Sequence, residues 1–231
     1  GEPIEENRVG IVDPEGKAIR WLAIEAPREG CYMDKPGWAG NSHEVFVEKL
    51  SRGRDKREFL IADINTGEIT CIFEESDEAW VAGAYETNAG PVWIRDHSAF
   101  VVMSDRDGWR RSYVYGRDGK EEGPITPPEV DVMRFVALDE ERGWYYFHAS
   151  PGNATQNYLH RSKLDGSGKT ERVTPADQPG THYYDISPDT QWAFHTYSTF
   201  DVPPVTQLVR LPNHEVVRVL EDNKARSEER R

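Results

Sequence analysis

At 231 residues the chain is long enough for one domain built from many strands. Its 19 glycines, 15 prolines and 11% aromatic residues favour strands and turns over helices. A net charge of −13 repels phosphate backbones and anionic lipid, which excludes nucleic acid and an anionic membrane as partners.

No uncharged apolar run approaches the ~18 residues that cross a bilayer. Residues 1–7 have neither the basic start nor the apolar stretch of a signal peptide. The chain therefore reads as soluble, or as a soluble piece of a longer one. Its two cysteines, Cys31 and Cys71, belong to no C-x-x-C pair and are too few for a disulfide scaffold or a zinc site. Free thiols and a single disulfide both stay open. So do periplasmic, extracellular and cytoplasmic locations.

Along the chain one pattern returns: an apolar alternating strand followed by a tight turn. It occurs at Val9–Lys17, Leu60–Glu68, Tyr113–Lys120, Tyr158–Gly166 and Leu208–Val216. The turn residues Gly16, Gly67, Gly119, Gly166 and Asn213 are separated by 47 to 52 residues. Gly and Asn tolerate the positive φ of a tight hairpin. Ahead of the last four hairpins the sequence predicts strands at Val45–Leu50, Phe100–Ser104, Trp144–Ala149 and Trp192–Tyr197. Outer strands follow at Glu68–Phe73 and Val216–Leu220, and inner ones are available at Pro91–Ile94 and Tyr183–Ile186.

Four strands per repeat of roughly 40 to 50 residues is the signature of a β-propeller blade. The expectation is an all-β fold with about four complete four-stranded blades plus a partial one. Residues 1–30 are assigned to the partial blade and 31–222 to the four blades. The charged tail, 223–231, is assigned to a linker, because eight of the eleven residues from Glu221 to Arg231 are charged and unsuited to a strand. A ring left short of strands exposes sheet edges, so the chain is expected to be part of a larger propeller and to form a homo-oligomer.

The last two repeats resemble the propeller domain of the dipeptidyl peptidase IV family of prolyl oligopeptidase-class serine peptidases. The resemblance is carried, in order, by Trp144-Tyr-Tyr-Phe-His-Ala-Ser150, Tyr158-Leu159, Leu164-Asp-Gly166, Val173-Thr174, Ile186-Ser-Pro-Asp189, Tyr197-Ser198, Pro203-Pro204 and Val219-Leu-Glu-Asp-Asn223. Upstream, Glu74–Trp80 and Ser104-Asp-Arg-Asp-Gly-Trp109 extend it, with Arg110-Arg111 departing where relatives often have His. The resemblance implies an eight-bladed propeller, an adjoining α/β-hydrolase domain and a peptide substrate. It also implies removal of N-terminal dipeptides after Pro or Ala. Trp80 and Tyr85 would line the substrate pocket. The paired glutamates that anchor a substrate's amino terminus in that family have no counterpart in context. Glu5-Glu6, Glu74-Glu75, Glu121-Glu122 and Glu140-Glu141 read as solvated turn or strand residues.

The chain has no G-x-S-x-G elbow: Gly40-Asn-Ser42-His43-Glu44 lacks the second glycine, so Ser42 is not assigned as a nucleophile. His43, His97, His148, His160, His182, His195 and His214 never recur at zinc spacing and read as polar tips on aromatic strand faces. Asp105-Arg-Asp-Gly108 reads as a turn without the closing Glu of a calcium loop. No catalytic residue, metal site or cofactor is expected. Asn153-Ala-Thr155 fits the glycosylation pattern on a loop. Two other readings stay open: a stand-alone protein-binding propeller, and a glycosidase-like propeller whose carboxylates would come from Asp63, Asp96 and Asp185.

Overall fold

The structure, a computed structural model, describes residues 7–81 and 90–225. It is built from short antiparallel strands whose order in each sheet follows the chain. β1 (Gly10–Val12) and β2 (Ile19–Trp21) form a two-stranded sheet. The first four-stranded sheet contains β3 (Cys31–Trp38), β4 (Glu44–Ser51), β5 (Lys56–Asp63) and β6 (Ile69–Ser76). The second contains β7 (Val92–Ile94), β8 (Ala99–Ser104), β9 (Arg111–Gly116) and β10 (Glu121–Pro124). The third contains β11 (Val132–Asp139), β12 (Trp144–Ala149), β13 (Tyr158–Lys163) and β14 (Thr170–Arg172). The fourth contains β15 (Thr181–Ile186), β16 (Trp192–Ser198), β17 (Val205–Arg210) and β18 (Glu215–Glu221). Each of the four is an up-and-down meander, the blade unit of a β-propeller. Among the described residues no helix is long and apolar enough to cross a membrane.

The middle ladders β4–β5, β12–β13 and β16–β17 run without a register break. Irregularities fall instead in β3–β4, β5–β6, β11–β12 and β17–β18. β8 and β12 are buried at every position, and core packing on such strands fixes register.

Gly16, Gly67, Gly119 and Gly166 have φ of 70°, 79°, 84° and 71°, as the repeated hairpin turn requires. The fifth turn departs from expectation. The positive φ belongs to His214 (57°) rather than Asn213, in a turn that follows the cis Leu211–Pro212 bond. The His214 ring is buried, with its Nε2 2.8 Å from the Tyr184 hydroxyl. A side chain anchored in the core thus takes the left-handed position.

The chain divides into two compact units, residues 1–106 with 114–122, and residues 107–113 with 123–231. The first unit is centred on aromatic rings in mostly edge-on or tilted contact: Phe46–Phe59 at 5.2 Å, Phe59–Phe73 at 4.9 Å, Phe73–Tyr115 at 5.1 Å and Trp93–Phe100 at 5.6 Å. In the second, Trp144, Tyr146, Leu159, Val173, Tyr184, Ala193 and Val209 form one buried cluster. Three tryptophans of these sheets have a cation over the indole. Arg117 lies 5.1 Å from the Trp93 ring centre, Arg161 4.0 Å from that of Trp144 and Arg210 4.8 Å from that of Trp192.

Candidate functional site

The exposed end of β6 carries the pocket residue expected from the sequence. Asp77 Oδ1 accepts the backbone N–H of Ala79 (2.8 Å) and Trp80 (3.0 Å), which holds its carboxyl below the usual range. Val81 N–H donates to the Arg54 carbonyl at 2.9 Å, tying this turn to the β4–β5 turn. The Arg54 guanidinium stands 5.7 Å from the Trp80 ring centre and 5.1 Å from that of Tyr32, and Arg52 is 5.4 Å from Tyr32. Trp80 remains 51% exposed. Trp80 and Tyr32 thus both lie against the Arg54 guanidinium, as cation–π partners. Tyr85 lies outside the described residues.

The same strands hold a buried ionic network that sequence reasoning missed. Arg57 Nε lies 2.9 Å from Glu48 Oε1 and its Nη1 3.7 Å from Glu75 Oε2, with all three side chains almost wholly buried. Lys35 Nζ reaches the other Glu48 oxygen at 2.7 Å, and the Ser104 hydroxyl donates to Glu75. Burial pushes the Glu75 carboxyl up, against the opposing pulls of the Ser104 bond and the Arg57 charge. Glu75 is therefore a core residue, contrary to the solvated reading of the Glu74-Glu75 pair. The missed signal is phase: Arg57 alternates with Phe59 and Ile61, which are buried on the same face of β5. Glu74 is exposed and pairs with Lys56, Glu121 pairs with Arg106, Glu122 with Arg95, and Glu140 and Glu141 are exposed. Glu5 and Glu6 lie outside the described residues.

Ser42 and His43 are both exposed, in a turn organised by Asn41, whose Oδ1 accepts from His43 N–H (3.0 Å) and Glu44 N–H (2.7 Å). Gly40 serves packing: at φ 85°, a Cβ there would meet His97 Cγ at 2.3 Å. Asp63 caps its turn through Asn65 and Thr66, while Asp96 and Asp185 are exposed. Gly108, at φ 87°, closes the Asp105–Gly108 turn. Arg111, at the departure from the family pattern, donates to the Thr126 carbonyl at 2.7 Å and pairs with Asp107 at 2.8 Å.

Both cysteines are free, Cys31 buried and Cys71 exposed. Glu58, Cys71 and Glu74 bring possible ligand atoms within 4.8 Å of one another, but Lys56 Nζ sits 3.5 Å from Glu58 and 2.9 Å from Glu74. That ammonium supplies the positive charge, and burial pushes the Cys71 thiol up, away from a ligating thiolate.

Cavities open in both units. One, of about 540 Å³ in the first unit, is lined by residues including Trp21, Leu22, Ile24, Cys31 and Met33. The other, of about 460 Å³ in the second unit, is lined by Trp109, Val130, Met133, Pro151 and Asn153 among others. Asn153 Oδ1 is occupied by the Thr155 N–H (3.0 Å) and hydroxyl (2.7 Å), a local turn within the glycosylation pattern. Five of the seven histidines, His148, His160, His182, His195 and His214, are buried in the second unit beside aromatic rings.

A chain folded into blades of this type matches a known family. Residues 1–204 fit the family described as Dipeptidyl peptidase IV (DPP IV) N-terminal region. The chain belongs to that family. It is 26% identical over 177 residues, 72% of its length, to an Emericella nidulans protein named "Probable dipeptidyl peptidase 4". It is 24% identical over 223 residues, 93% of its length, to the Aspergillus flavus protein of the same name. Among solved structures, Porphyromonas gingivalis dipeptidyl peptidase 4 is similar with a TM-score of 0.82 over 96% of this chain and 30% of that one, at 17% identity. The chain spans only 22% and 28% of the two curated relatives' lengths.

Proposed function

We propose that this chain is the non-catalytic propeller segment of a dipeptidyl peptidase, shaping one wall of its substrate chamber and restricting access to it. Residues 1–30 act as part of a blade, 31–222 as four blades, and 223–231 as the start of a connection to an α/β-hydrolase domain that supplies the serine nucleophile. The substrate is a peptide whose N-terminal dipeptide ends in Pro or Ala. The observation that carries this reading is Trp80, half exposed and held in place by the Asp77 cap beneath the Arg54 guanidinium.

The test uses the full-length peptidase that this reading requires. Trp80→Ala is expected to raise KM about tenfold and leave kcat unchanged, on the order of 1.4 kcal/mol of uniform binding. An unchanged KM, or a gene without a G-x-S-x-G domain, overturns the reading.

A further inference from the structure

The second unit contains a line of hydrogen bonds with only one workable direction. The carbonyl of Gln178 can only accept, so His182 Nε2, 3.1 Å away, carries a proton and donates to it. Neutral His182 then has a bare Nδ1. The ring of His195, coplanar with it to 1°, supplies Nε2–H at 2.8 Å. That leaves His195 Nδ1 bare, 3.0 Å from the Gln207 side-chain amide, which donates to it. The relay thus runs from β17 through β16 and β15 to the segment before β15, using both nitrogens of each ring.

Its surroundings shield it from bulk solvent and, among the described residues acting on it, supply no anion. His182 and His195 are fully buried, and Gln207 nearly so. Tyr197 stacks at 5.6 Å from His182 and 5.4 Å from His195, Tyr184 at 4.5 Å from His195, and Tyr158 lies 5.6 Å from His182. The charged or titratable groups acting on the two rings are Arg172, His148 and His214, none of them an anion. His148 accepts from Asn157 Nδ2 (3.3 Å) through Nδ1, so its proton sits on a buried Nε2 with no hydrogen-bond partner among the described residues. Arg134 and His160 also act on it. His214 is engaged by Tyr184, which in turn meets Thr174 at 2.9 Å.

We propose that this relay makes the β15–β18 sheet an acid-sensitive latch. It is closed while His182 and His195 are neutral, and opens with proton uptake as pH falls below about 6.5, the ordinary histidine value. A proton on His182 Nδ1 would face the N–H of His195, and one on His195 Nδ1 would face the Gln207 amide donor. Either also places an unbalanced charge in the core. Opening hydrates both rings and removes these penalties.

The energetics follow the same direction. Burial lowers His182 to about 4, and lowers His195 further, with neighbouring His214 and His182 adding to the effect. Groups depressed in the folded state contribute stability above the unfolded value that is lost as pH falls. Carboxylates at their ordinary values change little above pH 5, and Glu75, pushed up by burial, lies on β6 outside this sheet, so within β15–β18 the window from 7.4 to 5.0 reports on the histidines.

Hydrogen exchange of the 231-residue chain, corrected for intrinsic rate, tests the latch. Each imidazole freed by opening is expected to raise the open population about 30-fold between pH 7.4 and 5.0, so two give about a thousandfold. Peptides from β15 and β16 should lose protection by that factor, while those from β4 to β6 retain theirs. His195→Gln, which keeps a donor and an acceptor, should reduce the pH effect about 30-fold. Where this variant fails to fold, the wild-type profile alone decides. A change of less than 30-fold in β15–β16, or an equal loss across β4–β6, overturns the proposal.

Discussion

Arg57 shows how one buried side chain organises its surroundings. Its guanidinium lies 4.6 Å from the Phe59 ring centre and 5.7 Å from that of Phe73, and its charge is met by Glu48 and Glu75. Desolvating such a group is costly, and the network is stable because its charges are paired. Arg57→Met removes a cation from between two carboxylates and leaves Glu48 with Lys35. The expected loss is about 3–5 kcal/mol, measured as the shift in urea unfolding free energy. A loss below about 1 kcal/mol would mean that the desolvation cost of Arg57 nearly cancels its ion pairs. The sequence contains the clue, an arginine in phase with Phe59 and Ile61. It contains nothing that identifies Glu75 as the partner, because β6 meets Arg57 only through sheet pairing.

At the level of the strand pair, two blades repeat one device. Trp144 pairs with Lys163 across β12–β13, and Trp192 pairs with Arg210 across β16–β17. Each cation covers its indole, at 4.3 Å and 4.8 Å from the ring centre. Both tryptophans open the second strand of their blade, and both cations close the third, so one register delivers the same contact twice. Lys163→Ala and Arg210→Ala are each expected to destabilise by about 0.5–1 kcal/mol. Double-mutant cycles with Trp→Leu should show a similar coupling. Equal effects in the Trp and Leu backgrounds would show that the cations contribute only packing elsewhere. The strands and the turn glycines of these blades are legible from the sequence, since apolar alternation and Gly at fixed intervals are local signals. The fifth turn is not: a buried His214 ring, rather than local preference at Asn213, decides its geometry.

For the whole molecule, the exposed apolar surface carries the remaining prediction. Tyr183 and Phe194 are 54% and 53% exposed on β15 and β16, and Val216, Val217, Val219 and Leu220 are all exposed on β18. Apolar surface beside a sheet edge associates. The charge of −13 opposes association, but repulsion between exposed charges is screened beyond ~8 Å at physiological salt. A two-fold dimer is the simplest closed assembly. Light scattering of the 231-residue chain at micromolar concentration should report a dimer or larger species, favoured as salt rises. A monomer at both low and high salt would show that these surfaces do not associate.

The family, the blade repeat and the two middle strands of each of the four blades were determined by the sequence alone, because alternation, turn chemistry and the order of short motifs are properties of neighbouring residues. Tertiary structure decided which polar side chains are buried and whom they meet. Glu75 and Arg57 look like surface residues until two strands pair, and His182 and His195 are thirteen residues apart until β15 and β16 set their rings in one plane. It also decided that both cysteines are free, and that cations lie over the indoles of Trp93, Trp144 and Trp192. The reason is common to all of these. Burial and partnership are set by contacts between segments distant in the chain, and local pattern carries only the face on which a residue stands.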